Sequence, residues 1–168
     1  IIGKTLIAHG SEKLKREFLP KILRNEVEFA VGYSEPDAGS DAAAMKLKAV
    51  RDGDGWKLTG PKLWITSGDE ADLIIVFARA EEGVTAFLVE TATKGFSTGK
   101  VEEKLGIRSS STVEINLDGV AVPGNRVLGP VGKGLGVAFD TLDGGRIGIA
   151  AQALGIAQAS LDASLKYA

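Results

Sequence analysis

The feature of this sequence that most constrains its fold is that the spacing of its hydrophobic residues changes twice along the chain. Up to about Glu26 the apolar residues recur at helical spacing, as Leu14 and Phe18 do. From Val27 to Pro130 they alternate with polar residues in short runs separated by turn residues, and after Pro130 helical spacing returns. We therefore predict an α+β chain, with an antiparallel β-barrel or sandwich as its middle domain rather than a parallel α/β sheet.

This pattern divides the chain into three predicted regions: 1–26, the tail of an N-terminal helical domain; 27–130, the middle β-domain; and 131–168, the first long helix of a C-terminal helical domain. Both ends of the sequence fall inside helical patterns, so we expect the chain to be a fragment.

Local signals predict where the elements begin and end. Gly10 should end the first helix, Ser11 should N-cap the second, and Pro20 should stop or kink it. Two hairpins are expected, with turns at 52–55 and 81–83. A further turn is expected at Gly60-Pro61. The remaining predicted strands are 27–33, 63–66 and a run that contains Val113, Ile115 and Leu117.

Composition excludes several classes of function. The net charge of −2 gives no general attraction to nucleic acid or to an anionic membrane, and the longest apolar run, Leu73 to Ala78, is too short to cross a bilayer. The chain has no cysteine and one histidine, His9, so no metal site is predicted; a catalytic triad would lack its residues. Residues 132–136, rich in glycine, lack the spacing of nucleotide-binding loops and are predicted to be a flexible entry to a helix.

Two segments carry residues suited to binding. In 33–41, a strand ends in a loop whose backbone N–H groups and hydroxyls, from Ser34 and Ser40, could bind a phosphate or the edge of a heterocycle. The alternative is a turn that bonds to itself, which these residues alone favour. In 62–67, Trp64 offers a flat wall, and Thr66 offers a hydroxyl on the same side of a strand. The alternative there is a core tryptophan beside a loop.

Together and in order, these segments resemble the acyl-CoA dehydrogenase family. Ser-Glu-Pro-Asp-Ala-Gly-Ser-Asp (34–41) is similar to one family signature, and Lys-Leu-Trp-Ile-Thr (62–66) is similar to a second. Segments 106–112, 122–129 and 141–150 continue the resemblance, which covers essentially the whole chain. The last stretch, with residues 152–158, is most similar to short-chain, butyryl-type members.

The resemblance implies an FAD-dependent enzyme that desaturates acyl-CoA thioesters between the α and β carbons. Ser34 would bond the flavin, Trp64 would flank its ring, and Thr66 would bond near N5. The positions that match flavin-contacting residues of the family are Val31, Tyr33, Ser34, Gly39, Ser40, Trp64, Ile65 and Thr66. Val31 departs from the family, because many members have an aromatic residue there.

The substrate contacts implied by the resemblance are Ser40, Asp143, Gly144, Gly145 and Arg146. Arg146 and Asp143 would hold the CoA part, and the glycines would leave room for it. No catalytic residue is assigned. One family branch has its catalytic Glu where this chain has Gly145, and most others have it in a later Tyr-Glu-Gly-Thr segment. We therefore expect the base beyond Ala168, and the chain to be inactive alone.

The family's partners would be an acyl-CoA substrate, an electron-transferring flavoprotein and further copies in a tetramer, without nucleic acid or membrane insertion. The compartment would be the cytoplasm in a bacterium and the mitochondrial matrix in a eukaryote. Two alternatives stay open: an acyl-CoA oxidase or related flavoenzyme on the same scaffold, and a non-catalytic binding module.

Overall fold

The computed structural model describes residues 2–168, which form three α-helices, eight strands and two short 3₁₀ helices at Ala42–Ala44 and Gly124–Arg126. The helices are α1 (Ile2–His9), α2 (Glu12–Leu23) and α3 (Gly134–Tyr167). The strands are β1 (Phe29–Gly32), β2 (Lys48–Asp52), β3 (Gly55–Thr66), β4 (Leu73–Ala80), β5 (Gly83–Glu90), β6 (Phe96–Val101), β7 (Thr112–Val122) and β8 (Val127–Leu128). The α+β class predicted from the change in spacing is thus confirmed.

The strands form one mixed sheet in the order β6-β7-β3-β2-β4-β5-β8, and β1 pairs with β4 outside this path. Most neighbours are antiparallel, including the predicted hairpins β2–β3 and β4–β5. Two pairs are parallel, β1 with β4 and β2 with β4. The prediction of a purely antiparallel sheet was therefore incomplete, because β1 and β2 both pair with β4 and run in the same direction as β4.

The sheet folds over so that one of its faces encloses a core. Ile115 of β7 and Val76 of β4 are fully buried in the same cluster, although two strands separate β7 from β4 in the order. Trp56 of β3 meets Phe87 of β5 edge to face, with ring centroids 5.2 Å apart. This arrangement is sandwich-like, and it explains why β3 and β7 alternate between buried and exposed residues.

The helices cover the other face of β4 and β5. Leu6 and Phe18 from the first two helices share a second cluster with Phe77 of β4, Leu88 of β5 and Val137 of α3. Because both faces of β4 are buried, its sequence is a continuous apolar run rather than an alternating one.

Several predicted boundaries are right and two are wrong. Ser11 N-caps α2 and accepts a hydrogen bond from the Leu14 N–H at 3.3 Å. Pro20 does not stop α2, which continues to Leu23. The carbonyl that Pro20 leaves without a donor belongs to Arg16, an exposed residue at which water can replace the lost bond.

The expected turn at Gly60-Pro61 is the other error, because β3 runs through both residues. Gly60 has φ +139° and lies at a break in the β3–β7 register. A Cβ on Gly60 would lie 3.1 Å from the Cα of Leu47, so the glycine permits a bulge and close packing rather than a reversal of the chain.

The entry to α3 is packed, which corrects the prediction of a flexible segment. The Gly132 N–H donates to the Thr85 hydroxyl at 2.8 Å. A Cβ on Gly134 would lie 2.8 Å from backbone atoms of Thr85 and Ala86. The glycines therefore bring the start of α3 into direct contact with β5. Strands β6 and β8 were not predicted. Strand β6 is largely exposed, and β8 is only two residues long.

Among residues 2–168, no helix combines the length and apolarity needed to cross a bilayer.

Candidate functional site

A cleft of about 740 Å³ lies between the edge of the sheet and the first half of α3. The sheet side contributes residues from β1 and from the end of β3, and α3 contributes one of its faces. The lining residues are Ile2, Phe29, Ala30, Val31, Tyr33, Trp64, Thr66, Ser67, Thr141, Leu142, Gly145, Arg146, Ile149, Ala150 and Ala153. A cleft of this size, mostly apolar and with a few polar groups, is typical of small-molecule and cofactor sites.

Trp64 is presented to this cleft by a bulge in β3. Lys62 pairs with Ile115 and Ile65 pairs with Val113, so β3 has one more residue than β7 in this interval. Trp64 takes a left-handed conformation with φ +61°, and its side chain is left 61% exposed. A large aromatic residue in this conformation is strained, and such strain is commonly found at functional sites.

Thr66 lies two residues further along and also lines the cleft. The sequence placed Trp64 and Thr66 on one side of a regular strand, but the bulge breaks the regular alternation. The two residues nevertheless reach the same cleft, while Ile65 between them is buried in the sheet core. The indole face and the threonine hydroxyl are thus available together.

Tyr33 forms part of the cleft wall next to β1. Its ring stacks on Phe77 with centroids 4.9 Å apart and planes 12° apart, which fixes the orientation of the ring. Its hydroxyl is buried, and no group within residues 2–168 forms a hydrogen bond of good distance and angle with it. Burial raises the pKa of the Tyr33 phenol above its usual value, and an interaction with the Thr141 hydroxyl offsets part of that shift.

The loop 33–41 is held by hydrogen bonds within itself, to β3 and to the residues just before β2. The backbone groups of Glu35 and Ala38 bond each other in both directions, at 2.9 and 3.1 Å, and Asp41 accepts from the Ala43 N–H. The self-bonded turn that the sequence favoured is therefore present. The Ser34 carbonyl accepts from the Leu63 N–H at 2.8 Å, which ties the loop to the bulge.

A buried ion pair, which the sequence analysis did not predict, lies behind this loop. Lys62 is fully buried and Glu35 is 7% exposed, with 2.8 Å between Nζ and Oε1. Burial lowers the pKa of Lys62, and the hydrogen bond that Lys62 donates to the Glu35 carboxylate offsets part of that shift. The signal that could have found the pair is a lysine at an inward-facing position of an alternating strand.

The predicted site residues divide into two groups. Those that line the cleft are Val31, Tyr33, Trp64, Thr66, Gly145 and Arg146. Those that do not are Ser34, Gly39, Ser40, Ile65, Asp143 and Gly144. Gly39 and Ser40 are exposed beyond the cleft, and a Cβ on Gly144 would lie 2.9 Å from Lys4 Nζ. Asp143 is exposed and forms an ion pair with Arg146 at 3.0 Å.

Sequence reasoning missed the apolar contribution of α3 to the cleft. Leu142, Ile149, Ala150 and Ala153 share one helical face with Gly145 and Arg146, and their spacing of three and four residues could have shown it. Gly148 and Gly155 of α3 have open space around them within the described chain.

The family model described as acyl-CoA dehydrogenase, middle domain, matches residues 30–120, and the model for the C-terminal domain of the same family matches residues 132–168. The chain is 44% identical over 164 residues to the short-chain specific acyl-CoA dehydrogenase of Clostridium acetobutylicum, covering 95% of this chain and 43% of that protein. It is also 44% identical over 168 residues to the short-chain specific mitochondrial enzyme of Rattus norvegicus, covering 97% of this chain and 41% of that protein.

Solved structures show the same fold. Butyryl-CoA dehydrogenase from Megasphaera elsdenii superposes with a TM-score of 0.94 at 42% identity, covering 98% of this chain and 45% of that one. Glutaryl-CoA dehydrogenase from Mycobacterium smegmatis, solved in complex with FADH2, gives a TM-score of 0.74 at 39% identity over 77% of this chain and 33% of that one. The chain spans less than half the length of these relatives. The matched domains, the identity and the fold agree that this chain belongs to the acyl-CoA dehydrogenase family.

Proposed function

We propose that this chain supplies the flavin-binding wall and part of the acyl-CoA site of an FAD-dependent dehydrogenase that desaturates short-chain acyl-CoA thioesters. The observation that carries the proposal is the exposed Trp64 indole, held out of the sheet by a strained bulge and facing a cleft of about 740 Å³. Relatives of this chain are short-chain specific enzymes, which supports the substrate class.

The residues of the cleft fit a flavin. A tricyclic ring needs a flat apolar surface for its face and hydrogen-bonding groups for its polar edge. Trp64 supplies the first, while the hydroxyls of Thr66 and Tyr33 supply capacity for the second. When bound, FAD supplies the acceptor for the hydride that leaves the β-carbon of the substrate.

The chain's own residues would orient the reactants and exclude water. Val31 and Ile149 line the cleft with hydrocarbon, so a bound ring would lose its contact with solvent over much of its surface. Arg146 brings a guanidinium to the helical side, where it could pair with a phosphate of CoA. Its present partner Asp143 would share or release it, and both side chains are 68% exposed, so such a change would need little rearrangement.

No carboxylate lines the cleft in the part of the chain that the structure describes. Removal of the α-proton of a thioester requires a base within hydrogen-bond reach, so we propose that a residue outside this chain supplies it. Incubation of the 168-residue protein with FAD, butyryl-CoA and an artificial electron acceptor should give no turnover. Sustained reduction of the acceptor would show that a group within the chain acts as the base.

We also propose that the divisions 1–26, 27–130 and 131–168 are the pieces of three domains, with the flavin site between the second and third. The predicted contacts of Ser34, Gly39, Ser40, Ile65, Asp143 and Gly144 belong to this proposal, as do electron-transferring flavoprotein as electron acceptor and a tetrameric assembly. Bacterial and mitochondrial relatives both exist, so the compartment would follow the source of the chain.

The direct test is a titration of the protein with FAD in which the quenching of flavin fluorescence measures binding. Saturable binding is expected, and Trp64→Ala should weaken it by about five- to 150-fold, because stacking of a planar ring on an aromatic side chain is worth about 1–3 kcal/mol. Tyr167→Ala is the matched control, since Tyr167 is an exposed aromatic residue far along α3 and outside the cleft. Absence of saturable binding, or equal affinity in the Trp64→Ala variant, would refute the proposal.

A further inference from the structure

The ion pair between Lys62 and Glu35 differs from the others in the described chain by its burial. The Lys62 side chain is 0% exposed and the Glu35 side chain 6%, whereas in every other ion pair between described residues at least one partner is more than 30% exposed. Neither residue lines the cleft, so the proposed function does not use either of them directly.

The two charged groups are bonded to each other and to the backbone of two further stretches of the chain. The Lys62 ammonium donates to the Tyr33 carbonyl at 3.0 Å as well as to Glu35. The Glu35 carboxylate accepts from the backbone N–H groups of Lys46 and Leu47, at the entrance to β2. The pair thus joins the loop after β1, the start of β2 and the second half of β3.

Lys62 also occupies a particular place in β3. It is the last residue in register with β7 before the bulge that contains Trp64. The next residue, Leu63, donates its N–H to the Ser34 carbonyl at 2.8 Å instead of to β7. Three bonds therefore connect residues 33–35 to residues 62–63, immediately before the left-handed residue Trp64.

Stability alone is a weak reason for such a pair. Removing two charges from water is costly, and apolar residues of similar volume often replace a buried ion pair with little loss or with a gain in stability. What an apolar pair cannot do is donate to the Tyr33 carbonyl or accept from Lys46 and Leu47. The pair is therefore better suited to fixing relative positions than to holding the fold together.

We propose that Lys62 and Glu35 are positioning residues that set where the bulge in β3 begins and thereby hold the Trp64 indole against the cleft. The consequence for flavin affinity rests on the proposed function, whereas the position of the indole can be measured in the protein without any ligand.

The experiment uses the two tryptophans of the chain, Trp56 and Trp64, labelled as 5-fluorotryptophan and observed by ¹⁹F NMR. Trp56 lies buried in the sheet core on the same strand and reports whether the core stays intact. Lys62→Met should shift or broaden the Trp64 resonance, leave the Trp56 resonance in place, and raise the dissociation constant for FAD about tenfold.

Lys57→Met is the matched control, because Lys57 of β3 pairs with Asp52 at 3.0 Å with both side chains about half exposed. It should change neither resonance.

The double variant Lys62→Met/Glu35→Gln separates positioning from stability, because it removes the unpaired buried carboxylate that the single change leaves. Its thermal midpoint should recover toward that of the parent, while the Trp64 resonance stays displaced and FAD affinity stays low. A Trp64 resonance that is unchanged in Lys62→Met, or that returns together with the thermal midpoint in the double variant, would overturn the inference. Failure of the parent to bind FAD would refute the proposed function instead, and the ligand-free resonances would still decide the positioning role.

Discussion

At the scale of single residues, the two tryptophans of the chain differ in backbone geometry and in burial. Both lie on β3. Trp56 has ordinary strand geometry, is 2% exposed and contacts Phe87. Trp64 has φ +61° and is 61% exposed. Trp64 therefore adds little packing to the core, and its backbone conformation is strained. This combination is expected of a residue that binds a ligand.

This contrast predicts opposite effects of two substitutions. Trp64→Gly removes left-handed strain and few buried contacts, so the free energy of unfolding should stay the same or rise by up to about 1 kcal/mol, while FAD binding weakens as in Trp64→Ala. Trp56→Ala opens a cavity in the core and should lower the free energy of unfolding by about 3–5 kcal/mol. Urea denaturation of the two variants and the parent measures both. A loss of more than about 1 kcal/mol in Trp64→Gly would contradict the interpretation.

At the scale of elements, α3 is attached to the sheet through its first turn. Gly134 is buried against the backbone of Thr85 and Ala86, whereas Gly136, two residues later, is exposed and has open space around it. The same chemical change at these two positions should therefore have opposite consequences.

Gly134→Ala should lower the free energy of unfolding by about 1–3 kcal/mol, because the new methyl group lies too close to β5 and the helix must shift. Gly136→Ala should raise it by up to about 1 kcal/mol, because alanine is the better helix former and meets nothing. Chemical denaturation provides the measurement. Equal effects of the two substitutions would show that the start of α3 does not contact β5 as described.

Helix α2 is attached to the sheet by Arg126. Its guanidinium bonds both carboxylate oxygens of Glu17 at 2.9 Å and one of Glu90 at 2.8 Å, and lies over the Phe18 ring at 4.9 Å. The hydrogen bond from Arg126 holds the pKa of Glu17 below the usual 4.5 for a glutamate. A carboxylate with a lowered pKa in the folded state stabilises the fold above its unfolded pKa, and this contribution is lost as pH falls through the folded pKa.

We therefore predict that the free energy of unfolding falls less steeply below about pH 4.5 in Glu17→Gln than in the parent, because the neutral side chain has no charge to lose. At pH 7 the variant should be the less stable of the two. Thermal unfolding at a series of pH values gives both slopes. Glu103→Gln is the control, because Glu103 is exposed and forms no ion pair with any residue from 2 to 168. Its slope should match that of the parent.

At the scale of the whole molecule, the packed body ends well before the chain does. The helices and the sheet share one core that includes Val137 and Ala138 of α3, and the cleft extends along α3 as far as Ala153. Every residue from 151 onward is exposed. The second half of α3 therefore extends away from the sheet without burying side chains against it.

Removal of residues 158–168 should consequently change the free energy of unfolding by no more than about 0.5 kcal/mol, since no buried contact is lost. Hydrogen exchange should show the same division, with amides beyond Ala153 exchanging much faster than those near Val137. A shortened protein that unfolds well below the parent temperature would show that this part of the helix packs against the body in solution.

The sequence by itself determined the class of fold, because hydrophobic spacing reports which side of each element is buried. The switch near Val27, the return to helical spacing after Pro130 and the two hairpin turns were all recoverable from local patterns. The family resemblance was also recoverable, since it depends on ordered motifs such as residues 34–41 and 62–66.

Only the tertiary structure decided features that depend on contacts between distant segments. The Lys62–Glu35 pair joins residues 27 positions apart, and the bulge at Trp64 depends on the register between β3 and β7. The sequence predicted a turn at Gly60, but in the structure this glycine permits a bulge. The prediction failed because the local sequence does not show that Leu47 packs against Gly60. Spacing along the chain fixes which face of an element is buried, but only the packing of the whole chain fixes what that face meets.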